Sequence, residues 1–90
     1  MAYHLKVERQ AFRQIERLAP PERKRVTEAI LALEDDPFPP GNKCKSLVSA
    51  GGLARLRVGD YRVLYEVLGD DILVLAVILR RELDRWIRRS

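Results

Sequence analysis

Five arginines, Arg55, Arg57, Arg62, Arg80 and Arg81, are the residues of this 90-residue chain best suited to chemistry. Arg55 and Arg57 share one face of a strand, because side chains of extended backbone repeat every two residues. Arg62 follows Gly59-Asp60, a two-residue hairpin signal that folds the next strand back beside them. Arg80 leaves the end of an apolar run, Ile72 to Leu79. In a register that brings three or four of these guanidiniums onto one concave sheet face, they grip consecutive phosphates bidentately. They also stabilise the extra charge of a pentacoordinate phosphorane, which is the electrostatic part of phosphodiester cleavage. The same alternation fits a solvated face with local salt bridges, and alternation alone does not separate the two.

Other catalytic templates fit poorly. The only histidine, His4, sits on the first predicted strand, so no Ser-His-acid set is available. Gly51-Gly52 lacks the spacing of a phosphate-binding glycine loop. Asp70-Asp71 reads as turn residues and the other carboxylates are scattered, so no metal-ligand spacing is present and no cofactor is implied. One cysteine, Cys44, excludes an internal disulfide and a Cys-cluster zinc site, and it reads as an incidental loop or semi-buried thiol between Lys43 and Lys45. Trp86, near five arginines, can stack on a base or anchor the C-terminal segment.

The elements that must position these groups follow from composition and period. A 47% hydrophobic chain of this length predicts one domain over residues 1–90. The net charge of +4 is uneven. Residues 1–36 carry seven basic and seven acidic side chains, whereas residues 37–90 carry ten and six. Two basic stretches, 37–62 and 80–90, flank an acidic one, which suggests an anionic partner such as a phosphate backbone. The longest apolar run, eight residues, is too short to span a bilayer. The N-terminus shows no secretion signal, so a cytoplasmic location is expected.

Tyr3 to Val7 alternates as a short opening strand. Ala11, Ile15 and Leu18 recur at helical spacing, with Phe12 beside them, and predict a helix of about three turns ended by Pro20-Pro21. Val26, Ile30 and Leu33 repeat the stripe in a second helix. Asp35 to Asn42 is a Pro/Gly break. Four segments follow: an ambiguous one with a short strand at Ser46-Leu47-Val48, a turn at Gly51-Gly52, then strands Leu53–Val58 and Tyr61–Val67. In the last of these Tyr61, Val63, Tyr65 and Val67 share one face, and Arg62, Leu64 and Glu66 the other. A turn at Gly69-Asp70-Asp71 leads into Ile72–Leu79, which reads as a strand buried on both faces. Arg80 to Arg89 continues as a short helix with Leu83, Trp86 and Ile87 on one side. The expected class is α+β, with an N-terminal helical hairpin packed on a twisted, mostly antiparallel sheet of about four strands.

The run Leu56 to Val67 (LRVGDYRVLYEV) closely resembles the RelE family of bacterial and archaeal toxins, within the RelE/ParE superfamily. The strand Ile72 to Val77 and the triplet Arg80-Arg81-Glu82 follow at the family's spacing, and the resemblance covers essentially the whole chain. It implies the RelE-like fold and a toxin of a type II toxin–antitoxin system. It further implies a hydrolase that enters the ribosomal A site and cuts mRNA, inhibiting translation. In that reaction the 2′-hydroxyl attacks the adjacent phosphate without a metal, leaving a 2′,3′-cyclic phosphate and a 5′-hydroxyl. The implied partners are a cognate RelB-like antitoxin, in a hetero-oligomeric complex, and the ribosome with its mRNA, with no membrane.

Carried over by position, the resemblance makes Arg55, Arg62 and Arg80 the catalytic set: Arg62 on the scissile phosphate, Arg55 as base or transition-state stabiliser, Arg80 at the leaving group. Lys43, Lys45, Arg57, Arg81 and Trp86 are the RNA-binding set. Arginine has a pKa above about 12 and is a poor proton carrier, so electrostatic stabilisation is its expected contribution. Two positions depart from the family. Its Gly-His or Gly-Lys pair is Ile78-Leu79 here, and its late tyrosine falls near Asp84. No proton-transfer residue is therefore evident, and two alternatives stand beside cleavage: a ParE-like inhibitor of DNA gyrase, and a catalytically inactive antitoxin-binding module.

Overall fold

The computed structural model describes residues 3–37, 44–46 and 53–89. Their order is β1 (His4–Val7), α1 (Arg9–Glu16), α2 (Pro20–Ala32), β2 (Cys44–Ser46), β3 (Leu53–Val58), β4 (Tyr61–Leu68), β5 (Asp71–Leu79), a 3-10 turn (Arg80–Glu82) and α3 (Leu83–Arg89). The strands form one sheet in the order β1-β5-β4-β3-β2. The α+β class, the helical hairpin and the mostly antiparallel sheet are as expected. The sheet has five strands because the ambiguous segment contributes β2, at Cys44–Ser46; Leu47, Val48, Gly51 and Gly52 lie outside the described residues. One pairing, β1 with β5, is parallel, a direction that periodicity alone does not carry.

The first helix is shorter than its apolar stripe suggests. It ends at Glu16, and Leu18 lies in the turn that follows, its N–H bonded to the Ile15 carbonyl at 3.1 Å. Ala19 precedes a proline and is extended, with ψ 150°, because the proline ring crowds a helical residue before it. Pro20 then opens α2, where a missing N–H costs no hydrogen bond. Val26, Ile30 and Leu33 are buried as their spacing requires.

The two faces of the sheet have different cores. Toward the helices, Ala54, Leu56, Val63, Tyr65, Ile72, Val74 and Val77 pack with Ala11, Val26, Ile30 and Leu33. The Tyr65 hydroxyl donates to the Pro37 carbonyl at 2.6 Å, which ties the segment after α2 to the middle of β4. On the opposite face Leu64, Ala76 and Ile78 pack beneath Leu83, with half-buried Trp86 beside them. A bulge reconciles these faces with the continuous apolar run of β5. Leu64 pairs with Ala76 but Tyr65 pairs with Val74, so Leu75 is the extra residue. Side-chain parity switches there, and Ile72, Val74 and Val77 all reach the helix side while Ala76 and Ile78 face α3.

Beyond Val74, β1 no longer accompanies β5. Two side chains take over that edge. Gln14 Oε1 accepts from the Val77 N–H at 2.7 Å, and Glu82 Oε1 accepts from the Leu79 N–H at 3.2 Å. An otherwise open row of donors is thereby closed up to the start of the 3-10 turn.

Both long hairpins turn on Gly-Asp, with glycine at positive φ: Gly59 at 58° and Gly69 at 61°. A Cβ at Gly59 would also lie 3.2 Å from Arg25 Nη2, whereas at Gly69 nothing lies within 4 Å. Gly59→Ala and Gly69→Ala are each expected to cost about 1 kcal/mol from left-handed backbone strain, measured by urea unfolding. The excess cost of Gly59→Ala over Gly69→Ala measures how readily Arg25 yields. Unchanged stability in both variants would contradict the turn geometry.

Candidate functional site

The site is assembled around three consecutive carbonyls at the β3–β4 turn. Arg62 Nη1 donates to the Gly59 carbonyl at 3.0 Å and to the Tyr61 carbonyl at 2.9 Å. The Arg80 N–H donates to the Asp60 carbonyl between them, at 2.9 Å. One tight hairpin thus orients the Arg62 guanidinium and pins Arg80, the first residue after β5. Register supplies the rest. Arg57 lies directly opposite Arg62 across β3–β4, and Ile78 flanks Arg62 on β5. Arg55 is opposite Leu64, and Lys45 of β2 is opposite Arg55.

Arg62 is 8% exposed, the only charged residue among those described that is buried. Burial, followed by the charges of Arg57, Arg80 and Arg55, holds its pKa below the ordinary arginine value, and Asp60 acts in the opposite sense. Arginine begins so high that Arg62 stays cationic at neutral pH. The site is therefore a preassembled region of positive potential with a partly desolvated guanidinium inside it, which favours a phosphate over water.

Of the arginines that sequence reasoning singled out, Arg55, Arg57 and Arg80 all lie close enough for their charges to bear on Arg62. Arg55 is half-buried; Arg57, Arg80 and Arg81 are exposed. Asp60, Leu79, Arg80 and Arg81 line an open groove of about 400 Å³. Lys43 lies outside the described residues, and of Lys45 only the backbone is described. Trp86 is half-buried against the apolar cluster of Leu64, Ala76, Ile78 and Leu83. The centre of this face is thus apolar and covered by α3, and the arginines occupy its β3–β4 end. His4 is exposed at the far side of the sheet, 3.4 Å from Asp71. Among the described residues no three His, Cys, Asp or Glu side chains form a group that could hold a metal ion. Among them, too, no helix is long and apolar enough to cross a membrane.

Three site features escaped sequence reasoning: the burial of Arg62, its return to the turn carbonyls, and the edge closure by Gln14. The Gly59-Asp60-Tyr61-Arg62 run could have signalled the second, since an arginine two residues past a two-residue turn is within reach of the turn's own carbonyls.

The directly opposed Arg57 and Arg62 are like charges, a pairing that destabilises a sheet. Arg57→Gln is expected to raise stability by about 0.5 kcal/mol at low salt, with the gain shrinking as salt screens the pair. Thermal unfolding at two ionic strengths checks this; a loss of stability would show that Arg57 is held by attraction instead.

Comparison with known proteins agrees with this architecture. Residues 5–84 match the family model described as the ParE toxin of the type II toxin–antitoxin system parDE. A Methanocaldococcus jannaschii protein named as toxin RelE1 is 31% identical over 84 residues, covering 91% of this chain and 93% of that one. The archaeal RelE–RelB complex from Pyrococcus horikoshii contains a chain of 26% identity and TM-score 0.69, with 89% of this chain and 97% of that chain covered. The RelBE2 toxin–antitoxin complex of Mycobacterium tuberculosis contains one of 25% identity and TM-score 0.74, with coverage of 89% and 100%. Sequence match over most of the chain and a shared fold lead to one conclusion: this chain belongs to the RelE/ParE superfamily and is a toxin of the type II toxin–antitoxin class.

Proposed function

We propose that the chain is a ribosome-dependent mRNA endonuclease that cuts codons in the A site and so inhibits translation. The observation that carries this reading is Arg62, buried, oriented by two carbonyls and under the charges of Arg55, Arg57 and Arg80. Arg62 holds the scissile phosphate. Arg55 and Arg80 stabilise the charge that develops as the 2′-oxygen adds to phosphorus and the 5′-oxygen departs. Lys43, Lys45, Arg57, Arg81 and Trp86 hold RNA around the cut. The charge stabilisation comes from fixed guanidiniums, and no step is routed through a metal. Cognate RelB-like antitoxin is the proposed partner, since similar chains occur in RelE–RelB complexes. Acidic antitoxin side chains would neutralise the arginine end of the face.

A second reading has one observation in its favour: the matching family model is described as that of ParE toxins. A ParE-like toxin would inhibit DNA gyrase by binding alone. The partly desolvated arginine pocket favours the first reading, because a binding-only inhibitor has no need of a preoriented buried cation. Induced expression separates them. Arrest of amino-acid incorporation within minutes, without induction of the DNA-damage response, is the expected result. Damage-response induction with translation continuing would move the assignment to gyrase. Growth unaffected by the folded protein, with antitoxin still bound, would leave the inactive binding module.

A further inference from the structure

Phosphodiester cleavage by a neighbouring hydroxyl needs a group that removes the hydroxyl proton, and arginine does not serve. The groove at the end of β5 is lined by Asp60, Leu79, Arg80 and Arg81, of which Asp60 alone can accept a proton. The two carboxylates that follow Arg81 in the sequence are otherwise placed. Glu82 accepts the Leu79 N–H, and Asp84 is exposed on α3. The backbone of Asp60 is held in the turn, and the residue is exposed. Its carbonyl is fixed by the Arg80 N–H, and the carbonyls on either side of it are fixed by Arg62. Its carboxylate is close enough to Arg62 to offset part of the repulsion from the other arginines.

From this geometry we infer that Asp60 is the general base of the cleavage reaction, taking the 2′-hydroxyl proton of a ribonucleotide whose phosphate lies against Arg62 and Arg80. The inference rests on the ribonuclease reading above. The proton passes to a carboxylate oxygen of Asp60 as the 2′-oxygen bonds to phosphorus. The bond from phosphorus to the 5′-oxygen breaks, its electron pair leaves on that oxygen, and water protonates it. The hydroxide so formed takes the proton back from the Asp60 carboxyl. Net, one internucleotide bond becomes a 2′,3′-cyclic phosphate and a 5′-hydroxyl.

A plain turn role is the competing explanation, because Asp70 occupies the same place in the β4–β5 hairpin. That makes Asp70 the internal control: it lies at the other end of β4, roughly 25 Å away by strand rise. The experiment is single-turnover cleavage of an mRNA on programmed ribosomes, with wild-type protein, D60N, D60A and D70N, each shown to be folded by circular dichroism. D60N is expected to slow the cleavage step by about 100-fold or more. Its half-saturating concentration should be unchanged or lower, since an anion is lost from a cationic face. D60A should be slowed similarly and regain rate with added formate. D70N should stay within about two-fold of wild type. D60N cleaving at the wild-type rate would overturn the assignment and leave the ribonuclease reading intact. A slowed D60A that formate does not rescue, with a raised half-saturating concentration, would make Asp60 a structural or binding residue instead. Wild-type protein that does not cut on ribosomes would remove the reading and the inference together.

Discussion

Arg62→Ala is expected to lower ribosome-dependent cleavage by about 10²–10³-fold, the cost of removing one preorganised charge-stabilising donor. The protein should remain folded and bind antitoxin. Two features support so large an effect on activity with so small an effect on the fold. The guanidinium is 8% exposed and held by the Gly59 and Tyr61 carbonyls, so its position is set before RNA arrives. It also stands among like charges, which makes it unfavourable in the free protein and favourable once a phosphate is bound. Truncation frees two carbonyls next to solvent but relieves that repulsion, and the balance is about 1 kcal/mol or less. Arg62→Lys should recover little activity, because an ammonium lacks the planar fork that serves two carbonyls and a phosphate together. Relief of toxicity on expression and single-turnover rates check this. Near-wild-type cleavage by Arg62→Ala would displace Arg62 from the centre of the site.

Leu64→Ala is expected to have the largest effect on stability. Leu64 is fully buried on the arginine-bearing face, where it packs with Ala76, Ile78 and Leu83. Truncating a buried leucine costs about 2–5 kcal/mol, and a 90-residue domain has only about 5–10 kcal/mol in total. A loss of about 3 kcal/mol lowers the Tm by about 15 °C at this chain length. Trp86, the chain's one tryptophan, rests against the same cluster, so its fluorescence should shift to the red as α3 loosens. Leu68→Ala, at a position 57% exposed, is the matched control and should change stability by less than about 0.5 kcal/mol. Equal effects of the two truncations would contradict the second core.

What was legible in the sequence was local. Gly59-Asp60 announced the turn, alternation in Leu53–Val58 put Arg55 and Arg57 on one face, and the stripe Val26, Ile30, Leu33 located the core side of α2. The family resemblance rested on the same run, Leu56 to Val67, and the comparisons bear it out. What was hidden depends on long-range registry. The alternation Arg62-Leu64-Glu66 made the far face of β4 look polar, yet Leu64 lies under α3, because Ala76 and Ile78 meet it only after the bulge at Leu75. A continuous apolar run carries no parity, so neither the bulge nor the parallel partner β1 could be read from Ile72–Leu79. Gln14 is in the same class: only the point at which β1 leaves β5 gives its side chain a donor to accept from. Trp86, which the sequence left open between stacking on a base and anchoring the C-terminal segment, is half-buried against an apolar cluster whose members are distant in sequence.

The central claim is tested most directly by primer extension on an mRNA under translation in a reconstituted system, with purified protein, with and without ribosomes. Cuts confined to codons in the A site, present only with ribosomes and absent with the Arg62→Ala protein, are the expected result. No cuts from folded wild-type protein, or cuts that persist without ribosomes or with Arg62→Ala, would contradict it.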